Sequence, residues 1–234
     1  MSFNAMMKAL KIAGIVLLSL LLLGAGVIWI ASDPLPEGEK GPEAEALADK
    51  MLEAMNYEAY QQIKTLSWTL AGRHHYVWDK QENTVTVRWE DVEVEFSPDT
   101  FDGSAIEKGK PLDGDELHDA IQTAWTYFAN DSFWLVAPFK VRDPGTERRL
   151  VETADGRALL VTYTSGGVTP GDSYLWLLDE NFKPRAWKLW VKIIPIGGVE
   201  ISWENWQNYG GAWLASSRNA GFYQMEITDI QATY

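Results

Sequence analysis

The chain has 234 residues, no cysteine, 12 tryptophans and a formal net charge of −13. This length suffices for a domain with its own hydrophobic core, and the missing cysteine excludes disulfide scaffolds, thiolate zinc sites and lipid attachment through a cysteine. The acidic balance argues against nucleic acid as a partner, because phosphate binding needs a basic surface.

Residues 12–31 form a run of 20 residues without a charge. A helix of this length is about 30 Å long and matches the hydrocarbon core of a bilayer. Lys8 and Lys11 precede the run and acidic residues follow it, so the positive-inside rule leaves residues 1–11 in the cytoplasm and exports the rest. A cleaved signal peptide is the alternative, but its apolar region is usually shorter and ends at small residues, whereas Trp29 stands near the end of this run. We expect an uncleaved single-pass anchor in the inner (plasma) membrane.

Residues 32–42 are rich in proline, glycine and charge, which predicts an extended tether that lifts the following domain off the membrane. The domain itself, residues 43–234, is then periplasmic. With Lys8 and Lys11 removed, residues 32–234 carry 18 basic and 33 acidic side chains, a net charge of −15. This charge argues against direct adhesion to an anionic lipid surface.

Two helices and about ten strands are predicted in the exported domain. The helices run from Glu43 to about Tyr60 and, with Asp113 or Asp115 as N-cap, to about Ala129. Alternating apolar residues predict four strands between the helices, and later strands near 149–153, 158–164, 173–178, 184–192, 199–206, 212–216 and 224–230. Hairpin-length turns join the strands, so the sheet is an antiparallel meander, and a sheet this long curls around whatever fills its concave face.

The layout from Glu43 to Tyr234 resembles the LolA/LolB lipoprotein-carrier superfamily. The resemblance rests on element order and on aromatic-rich alternation, and the blocks Asn130–Val141 and Gly166–Trp176 also look like those of uncharacterised exported proteins of Gram-negative bacteria. It implies an α+β, mainly β fold: a transmembrane helix, then an unclosed half-barrel of curved antiparallel sheet covered by two or more helices. It further implies a hydrophobic cavity whose partner is a lipid or an acylated protein.

Two departures from that superfamily are visible in the sequence. A membrane anchor prevents free shuttling, and the lipidated cysteine of the outer-membrane member is absent. The arginine of the carrier cavity has no clear counterpart, and Arg73 and Arg88 match it by strand position only.

The tryptophans are the strongest positive signal. By strand phase, the predicted cavity residues are Trp68, Trp78, Trp89, Trp176 and Trp203. Large rigid rings suit a cavity that stays open, although an ordinary core is the default for any single tryptophan. The loop Gly166–Asp172 is a predicted rim loop that carries Thr169 and Asp172 towards a ligand, with a tight bulged hairpin as the alternative.

No catalytic motif is present, and we expect a non-enzymatic protein without metal or cofactor. His74 and His75 point to opposite faces if their segment is a strand. Asp115, His118 and Asp119 share a helix face, which fits either a divalent metal or a solvated surface.

Three functions fit these observations. The first is a membrane-anchored binding protein that holds a hydrophobic ligand in an aromatic-lined cavity. The second is a periplasmic hydrolase that acts on a sugar or peptide with paired carboxylates. The third is a structural domain of an envelope complex, in which Leu47, Met51 and Met55 of the first helix plug the sheet.

Overall fold

The computed structural model describes residues 32–166 and 169–234. The predicted cytoplasmic segment 1–11 and the predicted anchor 12–31 lie outside the described residues. Across the part of the chain that is described, no helix combines the length and apolar character needed to span a membrane.

The described residues form three α-helices and fourteen strands. The helices are α1 (Pro42–Ala54), α2 (Tyr57–Gln62) and α3 (Gly114–Val136), and a 3-10 turn (Ala137–Lys140) follows α3. The strands before α3 are β1 (Thr65–Leu70), β2 (His74–Asp79), β3 (Thr84–Trp89), β4 (Val92–Phe96), β5 (Gly103–Glu107) and β6 (Lys110–Pro111). The strands after it are β7 (Thr146–Thr153), β8 (Gly156–Tyr163), β9 (Ser173–Leu178), β10 (Pro184–Trp190), β11 (Val199–Ser202), β12 (Glu204–Tyr209), β13 (Ala212–Asn219) and β14 (Gln224–Thr233).

Both predicted helices differ from the observed ones at their C-terminal ends. The first is divided, because Asn56 adopts a left-handed conformation (φ 57°) and its side chain accepts a hydrogen bond from the Ala59 amide, which starts α2. The second continues to Val136, since its buried stripe extends past Phe128 to Leu135. Asp113 occupies the N-cap position, without a side-chain capping hydrogen bond.

The strands form two antiparallel sheets that do not close. The larger has the order β12-β13-β14-β1-β2-β3-β4-β5-β6 and the smaller the order β11-β10-β9-β8-β7. Strands β11 and β12 are one stretch of chain, interrupted only at Trp203, whose amide still donates to the Arg185 carbonyl of β10 at 2.8 Å. The first half of this stretch therefore pairs with the small sheet and the second half with the large one, which produces the predicted unclosed, mainly β architecture.

The main core lies on the concave side of the sheets, which we call the inner face. Met51 of α1 and Met55, which directly follows α1, are fully buried there, and α3 contributes Phe128 and Leu135. The aromatic residues Phe133 and Trp134 of α3 pack against the same core from the helix side. Two amphipathic helices thus fill the concave face, as the alternation of the strands requires.

The small sheet is covered on its outer face as well. A second apolar cluster consists of Val151, Ala158, Leu160, Leu175, Leu177 and Ala186, whose strand parity is opposite to that of the inner residues. Residues 32–40, here called the N-terminal strap, are held at both flanks of this cluster. At one flank, Asp33 forms hydrogen bonds with Gly197 and with Trp190, the last residue of β10. At the other flank, Glu39 pairs with Leu150 of β7 through two hydrogen bonds of 2.8 Å.

The strap is packed on the domain, whereas residues 32–42 were predicted to form a free extended tether. Its backbone is extended, but it crosses the small sheet from β10 to β7 and is part of the fold. Gly38 packs so closely on β7 that an added Cβ would lie 2.9 Å from a methyl group of Val151. An ion pair of 2.6 Å between Lys40 and Glu147 completes the attachment.

Candidate functional site

All five tryptophans predicted from strand phase belong to the inner core. Trp68, Trp176 and Trp203 are buried, and Trp78 and Trp89 are half-buried at its border. The predicted rim residues Thr169 and Asp172 lie elsewhere, at one end of the small sheet. The structure therefore brings the tryptophans to one face and separates them from the rim loop.

Three of the indoles on the small-sheet side form one aromatic cluster. The ring centroids of Trp176, Trp187 and Trp203 form a triangle. Trp187 is 4.9 Å from Trp176 and 5.0 Å from Trp203, and Trp176 and Trp203 are 5.2 Å apart. Phe133 and Trp134 of α3 cover this cluster, their ring centroids 5.8 and 5.4 Å from that of Trp187. Trp187 is thus the centre of the cluster, although it was not among the predicted cavity residues.

The other predicted tryptophans lie around the middle of α3. Phe128 approaches Trp68 at 6.3 Å and Trp78 at 5.3 Å, and Tyr127 meets Trp89 edge to face at 5.4 Å. Residues of α3 therefore occupy the space in front of these rings, as Phe133 and Trp134 do on the small-sheet side.

The buried indoles leave an unusual set of hydrogen-bond donors without acceptors. The unpaired donors are Nε1 of Trp68, Trp78, Trp176, Trp187 and Trp203, and Nε of Arg218. A buried tryptophan N–H ordinarily finds a partner, and an unpaired buried donor costs about 1–3 kcal/mol. The inner face thus presents donors for which the described residues supply no acceptor.

Arg218 is the one cation among these donors. Its side chain projects from β13, is 1% exposed, and places its guanidinium 3.5 Å from the ring centroid of Trp203. The guanidinium donates to the carbonyl oxygens of Ser217, Ala215 and Trp134, the last on α3. Burial lowers the pKa of Arg218 below its usual value, but a guanidinium remains charged at neutral pH because its intrinsic pKa is so high. No salt bridge to a carboxylate is formed within the described residues.

The sequence contains a signal that identifies Arg218. Along β13, Arg218 has the parity of the buried residues Ala212 and Leu214, so the alternation places it on the apolar face. Arg73 and Arg88, which match the carrier arginine by strand position only, both lie on the surface. Arg73 is exposed beside β2, and Arg88 forms an exposed ion pair of 2.6 Å with Glu93.

The rim loop holds a neighbouring loop in place. Asp172 is 4% exposed and accepts hydrogen bonds from the Thr169 hydroxyl at 2.5 Å and from the Lys192 amide at 3.0 Å. The Lys192 ammonium in turn donates to the Pro170 carbonyl. Both predicted rim residues therefore contribute to the attachment of residues 191–198, which join β10 to β11.

A polar network links β2 to α3. Asp131 accepts a hydrogen bond of 2.6 Å from the Tyr76 hydroxyl and lies 2.7 Å from Nδ1 of His74. Burial and the Asp131 carboxylate raise the pKa of Tyr76. His75 is on the opposite face, as the strand geometry predicts, and bonds to Thr69 at 2.8 Å. A separation of 57 positions hides the His74–Asp131 pair from sequence reasoning.

Two other candidate sites are on the surface. Asp115, His118 and Asp119 are exposed on α3, and no three His, Asp or Glu side chains of the described residues lie close enough to hold a metal ion. A groove of about 520 Å³ lies between α1 and the turns of the small sheet. Its lining includes the carboxylates of Glu43, Asp155, Asp179 and Glu180 and none of the predicted tryptophans.

Comparison with known proteins gives a likeness of fold only. No protein-family model and no curated protein matches the chain. The chain is similar to a LolA superfamily protein. That crystal structure, from Nitrosomonas europaea, is 12% identical, with 82% of this chain and 94% of that chain covered and a TM-score of 0.39. A DUF1329 family protein from Desulfovibrio piger is 8% identical, with coverages of 81% and 92% and the same TM-score of 0.39. These TM-scores are too low to carry a function from those proteins to this chain.

Proposed function

We propose that this protein is a membrane-anchored, non-enzymatic binding protein that holds an acyl-chain ligand, a lipid or an acylated protein, on the inner face of its sheets. The observation that carries the proposal is the set of six buried donors without acceptors. An acyl ester or carboxylate supplies acceptor oxygens to such donors, while its hydrocarbon chain packs against indole rings. Residues 12–31 are the proposed anchor, which keeps the binding domain in the periplasm.

Arg218 is the proposed recognition residue for the polar end of the ligand. Within the described residues its buried charge forms no salt bridge, although Glu226 and Glu204 act on it electrostatically, and its Nε has no hydrogen-bond acceptor. The same guanidinium donates to the Trp134 carbonyl of α3. A ligand that takes over donors of Arg218 weakens this hold on α3, which allows the helix to move away from the tryptophans that it covers.

Photo-crosslinking of the full chain tests the proposal. The chain is purified in detergent, incubated with a diazirine derivative of palmitic acid and irradiated, and the labelled peptides are located by tandem mass spectrometry. Label is expected in β9, β10 and β13. Arg218→Lys, which keeps the charge but loses the forked donor geometry, is expected to reduce this labelling about tenfold.

Two variants control the experiment. Arg185→Lys changes an exposed arginine whose side chain pairs with Asp155 at 2.7 Å, and it is expected to leave the labelling unchanged. Trp187→Phe keeps a large ring but removes one indole donor, so it gives a partial loss. Label confined to residues 12–31 and the surface loops would contradict binding on the inner face.

A structural role in an envelope complex is the second candidate, because α1 and α3 fill the inner face. Leu47, Met51 and Met55 are all buried, as that role predicts. It differs from ligand binding in one measurable respect. A purely structural domain is labelled no more in its inner strands than a heat-unfolded control, and Arg218→Lys changes its stability but not its labelling.

A further inference from the structure

The N-terminal strap fixes where the chain enters the domain. The Ser32 hydroxyl accepts a hydrogen bond of 2.9 Å from the Gly197 amide, and the Asp33 amide donates to the Gly197 carbonyl at 2.9 Å. The Asp33 carbonyl accepts from the indole N–H of Trp190 at 2.9 Å. The first described residue therefore lies directly against the loop between β10 and β11.

Asp33 is closely packed against both the loop between β10 and β11 and the side chains of β10. A Cβ added to Gly197 would lie 2.6 Å from the Trp190 ring and 2.8 Å from the Asp33 carbonyl oxygen. Lys188 adds a contact of 3.3 Å to the Asp33 carboxylate. Since several independent contacts hold residues 32 and 33, the strap does not act as a spacer between residue 31 and the domain.

The loop beside this point, residues 191–198, is apolar and exposed. Its sequence is Val-Lys-Ile-Ile-Pro-Ile-Gly-Gly, with a single charge at Lys192. Ile193 is 79% exposed, although isoleucine side chains are ordinarily buried, and the neighbouring Pro195 is exposed as well. Two carboxylates lie beside the loop. Asp172 is buried and accepts a hydrogen bond from the Lys192 amide, whereas the Asp33 carboxylate is exposed and pairs with Lys188 at 3.3 Å.

We propose that the loop 191–198 inserts its exposed residues Ile193 and Pro195 into the interfacial region of the lipid bilayer and docks this end of the domain on the membrane. The proposal rests on the proposed anchoring through residues 12–31. The uncharged run ends at residue 31, one residue of about 3.5 Å from Ser32. An anchor that ends there brings the loop to the bilayer surface, where an apolar loop and an adjacent spanning segment reinforce each other.

The proposed docking is compatible with the negative net charge of the domain. Residues 32–234 are strongly acidic, which opposes adhesion to anionic lipids. The loop itself has no carboxylate, and Lys192 is its only charged residue. Contact through this end therefore depends on apolar insertion and places the acidic remainder of the surface away from the lipid headgroups.

Site-specific fluorescence tests the docking on the full chain. Because the chain has no cysteine, the single variants Ile193→Cys and Ile106→Cys can each be labelled with the polarity-sensitive dye NBD at one position. Ile106 is the matched control, a 44% exposed isoleucine on β5 near the far edge of the large sheet. Each labelled chain is reconstituted into vesicles of phosphatidylethanolamine and phosphatidylglycerol, with and without nitroxide-labelled lipid.

The dye at position 193 is expected to emit at shorter wavelength and to lose about half of its emission to the nitroxide, since an interfacial group lies ~5–10 Å into the headgroup boundary. The dye at position 106 is expected to stay unquenched. Equal quenching at both positions in chains that resist carbonate extraction would overturn the docking and leave the anchor intact. Release of the chain by carbonate would overturn the anchor and, with it, the docking. Neither outcome bears on the inner-face labelling.

Discussion

The two ends of the small sheet have opposite character. At one end the strap meets the loop 191–198, where Ile193 and Pro195 are exposed and the carboxylate of Asp172 is buried beneath the loop. At the other end, the turns β7–β8 and β9–β10 carry exposed charges, among them Asp155, Asp179 and Arg185. Strands β7, β8, β9 and β10 thus connect an end suited to contact with lipid to an end suited to contact with water.

Each end is stabilised by interactions of a different kind. At the apolar end, hydrogen bonds between buried or half-buried groups fix loops that have no regular structure of their own. At the charged end, tight turns are closed by exposed side chains and ion pairs, which water and salt weaken. A substitution should therefore cost far more at the apolar end than the equivalent substitution at the charged end.

The largest difference is expected for a matched pair of aspartates. Asp172 is buried and accepts from Thr169 and the Lys192 amide, whereas the exposed Asp179 accepts from the amides of Asn181 and Lys183. Asp172→Ala is expected to lower the free energy of unfolding by about 3 kcal/mol, and Asp179→Ala by about 1 kcal/mol. Urea unfolding of the full chain in detergent measures both values, and equal losses would remove the distinction between the two ends.

A smaller effect is expected when the strap loses its indole partner. Trp190→Phe removes the hydrogen bond to the Asp33 carbonyl and costs about 1 kcal/mol. Amide hydrogen exchange should then accelerate across residues 33–39. Trp206→Phe is the matched control, because its indole donates to the Pro184 carbonyl near the charged end. If Trp206→Phe accelerates exchange in the strap as much as Trp190→Phe does, the attachment is not local.

The smallest effect is expected at an exposed ion pair. Arg185 lies 2.7 Å from Asp155 and 3.8 Å from Glu200, with its side chain well exposed. Arg185→Gln is expected to lower stability by about 0.5 kcal/mol at low salt. The difference from wild type should vanish near ~1 M sodium chloride, where the screening length falls to about 3 Å. Thermal unfolding at two salt concentrations checks this, and a loss that persists in high salt would indicate a packing role for the arginine.

Alternation along the chain predicted much of the sheet. The observed limits of β9 are those predicted, and the tryptophans selected by phase all face the inner core, because the side-chain period of a strand is fixed at two. The same period indicates that Arg218 belongs to that face. Boundaries were less accurate where a single residue changed the path, as at Asn56 in the helix and at Trp203 between β11 and β12.

The periodicity of apolar residues did not predict the contacts between segments that are distant in the sequence. Nothing near residues 32–42 in the sequence indicates that they pair with Leu150 and dock against Trp190, since these partners are more than a hundred positions away. Thr169 and Asp172 were selected for the unusual backbone of their loop, but their actual contacts with the 191–198 loop depend on how β9 and β10 pair.

By itself, the sequence determined most of the strands, the face on which the tryptophans lie and the absence of any thiol chemistry, because these depend on local period and composition. Only the tertiary structure decided that the strap packs on the domain, that α3 covers the indoles, and that Arg218 is buried without a salt bridge to any described residue. These features arise where segments far apart in the chain meet, and their energies come from burial and hydrogen bonding that exist only once the sheets have formed.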